Sequence, residues 1–224
     1  MADCTVLILT YKGKHHLEDL LPSVKKAIEH TSAYNLDVLI VDNGRDNATR
    51  DYVKQNFPDY NYAFSPVNDY LFSLNPYVKE LHAPYFLLLN DDMKITENIF
   101  NVLLPVIKND PELFAINCKL LNWDGHGQQN NYRLMKVSTG WVQTFYSPQT
   151  DEVIRYTLYA GGGSAIFDTE KFNQLNGFNK LYAPAYCEDM DISYKAWTSG
   201  WPVIYHPHAI LYHKEGGTIH DQYK

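Results

Sequence analysis

A single α/β domain, with a mostly parallel central sheet flanked by helices, is the fold that this sequence predicts. Three observations carry that prediction. Through the first half of the chain, short apolar runs alternate with amphipathic helical stretches, the rhythm in which crossover helices join parallel strands. Two of those runs, residues 36–41 and 85–89, lead directly into aspartates, and in an open α/β sheet ligands gather at the carboxyl ends of strands. The 224 residues, 45% of them hydrophobic, suffice for one large domain with a continuous core.

Residues 4–10 form the first apolar run. Residues 15–30 follow with helical spacing through Leu17, Leu20, Leu21, Val24 and Ile28, and 36–41 read as a second buried strand. A short helix is predicted over 46–56, a strand over 60–64, a helix over 68–81 and a strand over 85–89. A helix over 97–108 ends before Asn109-Asp110-Pro111, and 113–118 return to strand. The texture then changes. Residues 121–149 are rich in Asn, Gln, Gly and Ser, with Trp123 and Trp141 among them, which suits a long excursion or hairpin beside a ligand. A strand follows Gly161-Gly162-Gly163, and helices are predicted over 169–174 and 188–198, the second ending at Gly200.

Composition excludes several classes. A formal net charge of -7 argues against a nucleic-acid partner, because phosphate-backbone binding needs Lys and Arg clusters. No apolar run approaches the length of a signal-peptide core or a membrane span. Cys4, Cys118 and Cys187 are an odd number without paired spacing, which fits a reducing compartment and a cytoplasmic location, peripheral membrane association remaining compatible.

The chemistry concentrates in a few segments. Asp91 and Asp92 are adjacent carboxylates after a buried strand; ionised together they repel unless solvent, a helix terminus or a cation compensates, so they read as a metal site or as loop and cap residues. Asp42 ends the 36–41 strand on the same rim, where it serves a base N–H or ribose hydroxyl, or else a turn with Asn43 and Gly44. Glu188, Asp189 and Asp191 open a helix, where acids complement the macrodipole, and where one of them at a pocket edge can act as general base. His206, His208 and His213 lack the i, i+4 spacing of a zinc helix, and Pro207 forbids a continuous one. The glycine triplet permits close backbone approach or positive φ but lacks a phosphate-loop frame.

In order and spacing these pieces resemble the GT-A glycosyltransferases of the family 2 type, over nearly the whole chain. Val6 to Lys12 is similar to the family's first strand with its Thr-Tyr-Asn ending, and Leu39 to Gly44 to its Val-Val-Asp-Asp/Asn-Gly/Ser segment. Asn90-Asp91-Asp92 stands in the place of the DXD motif, Asn176-Gly177-Phe178-Asn179 resembles a Gly-Gly-Phe-Asp element, and Glu188-Asp189-Met190-Asp191 a Glu-Asp-x-Asp. Gly200 to Pro207 and Tyr212-His213-Lys214-Glu215-Gly216-Gly217 resemble its closing strand and a His-x-x-Gly-Gly tail common among rhamnosyltransferase-like members. Three positions depart from the pattern: Asn90 replaces the first Asp, Lys12 an Asn, and Tyr70 a Gly.

The resemblance implies a metal-dependent inverting transfer of a sugar from a nucleotide-diphosphate donor to a glycan, lipid-linked or other acceptor. Thr10, Tyr11, Asp42, Asn68, Asp91 and Gly162 would bind the nucleotide sugar, Asp92 and His213 would hold Mn²⁺ or Mg²⁺, and Asp189 would be the catalytic base. A nucleotide-binding half over about 1–95 and an acceptor-binding half over about 96–224 are expected to make up one domain. The rivals are a non-catalytic carbohydrate- or nucleotide-binding protein with this fold and a sugar-nucleotide pyrophosphorylase, the latter disfavoured by the absence of a Gly-rich basic loop after the first strand.

Overall fold

Strand β1 (Cys4–Thr10) runs through the middle of the sheet, with β2 (Leu36–Asp42) on one side and β4 (Tyr85–Asn90) on the other, both parallel to it. The computed structural model that provides this architecture describes residues 1–129, 131–147 and 151–214. The tail residues Glu215, Gly216 and Gly217 fall outside the described residues.

Beyond β2 lies β3 (Asn61–Phe64), also parallel. Helices α1 (Lys14–His30) and α2 (Asn47–Asn56) make the crossovers, as the alternating pattern predicts. On the far side of β4 the sheet becomes mixed. Strand β10 (Ser164–Asp168) lies antiparallel between β4 and β6 (Ala115–Asn122), and β11 (Val203–His213) is parallel to β6. The short strands β5 (Met93–Ile95) and β9 (Arg155–Tyr156) both pair antiparallel with β11.

Helices cover both faces of the sheet because the strand pattern buries both. On β1, Val6 and Ile8 join a cluster with Leu17 and Leu20 of α1 and with Phe100 and Leu104 of α4 (Ile99–Asn109), while Leu7 joins Phe72, Phe172 and Ile192 on the opposite face. Those last residues belong to a 3₁₀ turn (Tyr70–Leu74), α5 (Thr169–Gln174) and α6 (Glu188–Thr198). Burying each such side chain stabilises the fold by roughly 1.5–3 kcal/mol.

The helix predicted over 68–81 is instead the 3₁₀ turn followed by α3 (Asn75–Glu80). Tyr70 has φ 51, outside the helical region, and Pro76 at the start of α3 has no N–H to continue an incoming helix. Strand β5 follows the acids before α4 begins at Ile99, where the sequence pattern placed only a helix start near Glu97. Strands β7 (Arg133–Ser138) and β8 (Trp141–Tyr146) form the hairpin expected within 121–149, a separate two-stranded sheet. Pro207 is accommodated inside β11 by a register shift between His206 and Ile210, where no ladder hydrogen bond is asked of it. Among the described residues no helix is long and apolar enough to cross a membrane.

Candidate active site

Register brings the candidate residues to one rim. Thr10 lies opposite Asp42 and Leu9 opposite Asn90, so β1, β2 and β4 end level with one another. His213 pairs with Met93 in the β11–β5 ladder, which carries the end of β11 to the residue after Asp92. Two adjoining clefts open here. One of about 270 Å³ is lined by Thr10, Tyr11, Asn43, Asn68, Tyr70 and Asp91 together with Tyr186 and Glu188. The other, of about 490 Å³, is lined by Gln129, Gly161, Gly162, Gly163, Asp189 and His213. Leu71, Asn90, Tyr186 and Glu188 border both. The first cleft thus draws on residues from either side of position 95.

The adjacent aspartates are compensated differently. Thr10 Oγ1 donates to Asp91 Oδ2 at 2.6 Å, and Gly13, the residue before α1, packs so closely that a Cβ on it would lie 2.0 Å from the same oxygen. Asp91 is therefore held at the start of a helix, where the partial positive charge of the macrodipole favours an anion. Asp92, 5% exposed, faces His213, with Oδ2 3.5 Å from Nε2. Gln129 fixes that ring: its Nε2 donates to the His213 carbonyl oxygen at 3.1 Å, so its Oε1, 2.6 Å from Nδ1, is the acceptor of an Nδ1–H. In the neutral ring Nε2 is then the nitrogen left with a lone pair, and because it faces a carboxylate oxygen the pair forms an arrangement that a cation satisfies.

The donor set fits a divalent ion. Mg²⁺ and Mn²⁺ are held by one or two protein groups with substrate phosphates and water completing the shell, and here a carboxylate and an imidazole face one another beside an open cleft. Among the described residues no group of three or more His, Cys, Asp or Glu could hold a metal by itself, so phosphate oxygens would be needed.

Asp42 is the most deeply buried of the strand-end aspartates. Its side chain is fully buried: Oδ1 accepts from the Gly44 amide at 2.7 Å, and Oδ2 from the Asp46 amide and the Tyr62 hydroxyl, each at 2.8 Å. The carboxylate organises the turn rather than facing the cleft, because the Asn43-Gly44-Arg45-Asp46 turn curls its amides back over the strand end. Its neighbour Asn43 lines the cleft instead. Asn43 Nδ2 donates to the Tyr70 carbonyl at 3.0 Å, while its buried Oδ1 has no hydrogen-bond partner among the described residues.

Asp189 sits in the first turn of α6, where its Oδ1 accepts from the Met190 amide at 2.7 Å, and the nearby Gly162 amide also favours the ionised carboxylate. Burial nevertheless raises its pKa above the ordinary carboxylate value; the amide bonds and the nearby Arg133 charge act in the opposite direction. Burial likewise raises the pKa of Glu188, 5% exposed, and its Oε2 has no hydrogen-bond partner among the described residues. The glycine triplet is explained by close approach and not by positive φ. A Cβ on Gly162 would meet Leu71 Cδ1 at 2.7 Å, and one on Gly163 would meet Asn90 Cγ at 2.5 Å.

Sequence reasoning took Asn43 only as a turn residue, kept Glu188 only as one of three acids from which Asp189 was chosen, and passed over Gln129. Glu188 stood beside the chosen base, and Asn43 beside the chosen aspartate, so adjacency to a candidate was the available signal. Gln129 lies 84 positions from His213 and carried none.

Comparison with known proteins supplies the family. The family model described as "Glycosyl transferase family 2" matches residues 5–175. No curated protein matches the chain. Similar solved structures include GalNAc-T7 with UDP, GalNAc and Mn²⁺, at TM-score 0.74 and 16% identity, covering 96% of this chain and 45% of that one. The mannosyltransferase PcManGT from Pyrobaculum calidifontis, in complex with GDP-Man and Mn²⁺, has TM-score 0.67 and 15% identity, with 97% of this chain and 59% of that one covered. S. aureus TarS 1-349 has TM-score 0.66 and 17% identity, with 98% and 62% covered. This chain thus spans less than two thirds of each of these three. At such identities the likeness shows the fold, the GT-A arrangement of a mixed sheet between helical layers.

Proposed function

The chain belongs to glycosyl transferase family 2, and from that premise we propose that it is a metal-dependent inverting glycosyltransferase, moving a sugar from a nucleotide-diphosphate donor to an acceptor hydroxyl. One observation carries the reading. The cleft that contains His213, which faces Asp92, also contains Asp189, and it adjoins the Thr10–Asp91 cleft through Asn90 and Glu188. Nucleotide, metal and base sites are then neighbours.

In this reading Tyr11, Asn43, Asn68 and Tyr70 surround the nucleoside, with Asn43 Oδ1 accepting from the base and Asp91 from the ribose. Asp42 acts indirectly, by holding the turn that carries Asn43. Asp92 and His213 hold Mn²⁺ or Mg²⁺ against the diphosphate, and Gln129 keeps the His213 ring in place. A divalent cation bound there neutralises charge as the diphosphate leaves. Glu188 and the Gly162 backbone border the donor sugar. The complexes named for GalNAc-T7 and PcManGT, each with Mn²⁺ and a nucleotide or nucleotide sugar, support that donor chemistry.

Asp189 removes the acceptor proton as the acceptor oxygen attacks the anomeric carbon from the side opposite the diphosphate. The new C–O bond forms as the bond to the leaving diphosphate breaks, and a single displacement inverts the centre. Burial makes Asp189 a better proton acceptor than an exposed carboxylate. The acceptor is a hydroxyl of a glycan, a lipid-linked molecule or another small partner. Residues 1–95 supply most nucleotide contacts, and 96–224 the base and the acceptor side.

Calorimetry with UDP, GDP and dTDP, each with and without Mn²⁺, tests the proposal. Metal-dependent binding of one nucleotide is the expected result, and binding of none would turn the reading towards a non-catalytic protein. Asp189→Asn should bind that nucleotide as the wild type does and lose transfer by about 10²–10⁴-fold. Because the base must be ionised, transfer should rise with pH, its acid limb centred above the ordinary carboxylate value of about 3.9. An acid limb at or below that value would sink the base assignment.

A further inference from the structure

Strands β7 and β8 rise from the wall of the Asp189 cleft. Asn131 lines that cleft, Tyr132 is buried, and two residues after Asn131 the chain enters the hairpin. From there exposure increases towards the turn, from half-buried Arg133 and Leu134 to an exposed run from Met135 through Trp141.

Its apolar residues are not confined to one side. The register pairs Met135 with Thr144 and Leu134 with Phe145, so Met135 and Val137 project from one face, and Phe145 and Trp141 from the other. Lys136 Nζ lies 5.7 Å from the Phe145 ring centroid, consistent with that second face. Trp141 is 74% exposed and Val137 69%, among the most exposed large apolar side chains described. A protein partner laid against a sheet covers one face, whereas the boundary between lipid headgroups and acyl chains surrounds an inserted hairpin on both.

Charge points the same way. In a chain of net charge -7, residues 133–146 carry Arg133 and Lys136 and no acid. Asp151 and Glu152, which follow the hairpin in sequence, face Arg155 and His208, and Asp189 lies near Arg133 at its base, so Lys136 is the cation that the outer part of the hairpin presents. Tryptophan and phenylalanine beside a lysine suit the membrane interface, where the unpaired strand edges of the hairpin keep access to water.

We propose that the β7–β8 hairpin is an interfacial anchor that seats the protein on an anionic lipid surface, so that acceptors held in the membrane reach the Asp189 cleft. The anchor stands on the hairpin's own geometry and charge, and only the acceptor clause rests on the transferase reading. The occupant is the lipid surface itself.

The test is sedimentation of the full chain with vesicles of phosphatidylcholine alone and of phosphatidylcholine with phosphatidylglycerol, for wild type, Val137→Ser/Trp141→Ser and Lys136→Glu. The expected result is binding to the anionic vesicles, weakened about tenfold or more by the double serine variant and less by Lys136→Glu. Calorimetry of nucleotide with Mn²⁺ should be the same for wild type and all variants, which shows that they fold. No wild-type binding to anionic vesicles, equal binding to both vesicle types, or binding unchanged by the double variant would each overturn the anchor. So would a concentration-dependent dimer in light scattering that the double variant abolishes without vesicle binding, since the hairpin would then serve a second copy of the chain. Vesicle binding that depends on the hairpin in a protein that binds no nucleotide would uphold the anchor and overturn the transferase reading alone.

Discussion

The carboxyl ends of β2 and β4 flank β1, and each delivers an aspartate to the same rim, yet the carboxylates meet different surroundings. Asp42 is enclosed by three donors of its own neighbourhood: the Gly44 and Asp46 amides and the Tyr62 hydroxyl. Asp91 lines a cleft beside the start of α1, and Asp92 faces His213 from the far end of the chain. The segment after each strand accounts for the contrast. After Asp42 comes a tight turn whose amides point back at the carboxylate. After Asp92 the chain passes straight into β5, whose backbone pairs with β11. On the proposed reading, a strand-end aspartate is structural or functional according to where the next few N–H groups go.

The sharpest way to break this contrast is Asp92→Ala. On the metal reading it should lower transfer by about a thousandfold, the several kcal/mol that charge neutralisation at a leaving group supplies, while thermal melting stays near wild type. A large fall in melting temperature with transfer retained would make Asp92 structural and erase the difference from Asp42.

Asp42→Ala should do the converse. It strips the acceptor from three donors, and leaving buried donors unsatisfied costs about 1–3 kcal/mol each, less than additively because water enters the gap. Urea unfolding should show a loss of about 3–5 kcal/mol, with nucleotide affinity of the folded fraction reduced far less than its stability. A stable variant that no longer binds nucleotide would restore Asp42 to the site.

Much of this is legible in the sequence alone. The strands and helices of the first half follow from apolar spacing, because a period of about two or 3.6 residues reports which face is buried. Helices α5 and α6 likewise match the expected spans 169–174 and 188–198. Direction is not legible: a short apolar run such as Ser164–Asp168 reads the same whether it lies parallel or antiparallel, and β10 is antiparallel to both neighbours. Nor is the 3₁₀ break at 70–74, since Tyr70 adopts a positive φ without the glycine that usually announces one. In the site, acids at strand ends are visible as chemistry, but which of them faces inward depends on turn amides and on partners remote in sequence.

Gln129 is such a remote partner and tests the Asp92 side more gently. Gln129→Ala removes the acceptor from His213 Nδ1 and frees the ring. Losing a bond that orients a metal-binding histidine typically costs 10–100-fold in metal affinity, so Mn²⁺ titration followed by electron paramagnetic resonance should weaken by roughly that factor. Gln129→Glu keeps an acceptor at Nδ1 and should retain most of the affinity. Equal losses in both variants would mean that Gln129 only packs against the strand.

The smallest expected effect lies on the Asp42 side. Asp46 caps α2, accepting from the Ala48 and Thr49 amides and the Thr49 hydroxyl, while its own amide donates to Asp42. Replacing such a cap with Ala costs about 1 kcal/mol. The Thr49 hydroxyl, aided by the two amides, holds the Asp46 pKa below its usual value. A lowered folded-state pKa means that the stabilisation is present above the unfolded-state value of about 3.9 and is lost as pH falls through the folded one. The stability gap between wild type and Asp46→Ala should therefore be full at neutral pH and close in acid. Because the Asp46 amide binds Asp42, the two substitutions should be coupled: in the Asp42→Ala background the cap has lost its anchor, and Asp46→Ala should cost less than it does alone. Strict additivity in that double-mutant cycle would mean that the turn and the helix start hold independently, and that Asp42 owes its burial to Tyr62 and Gly44 alone.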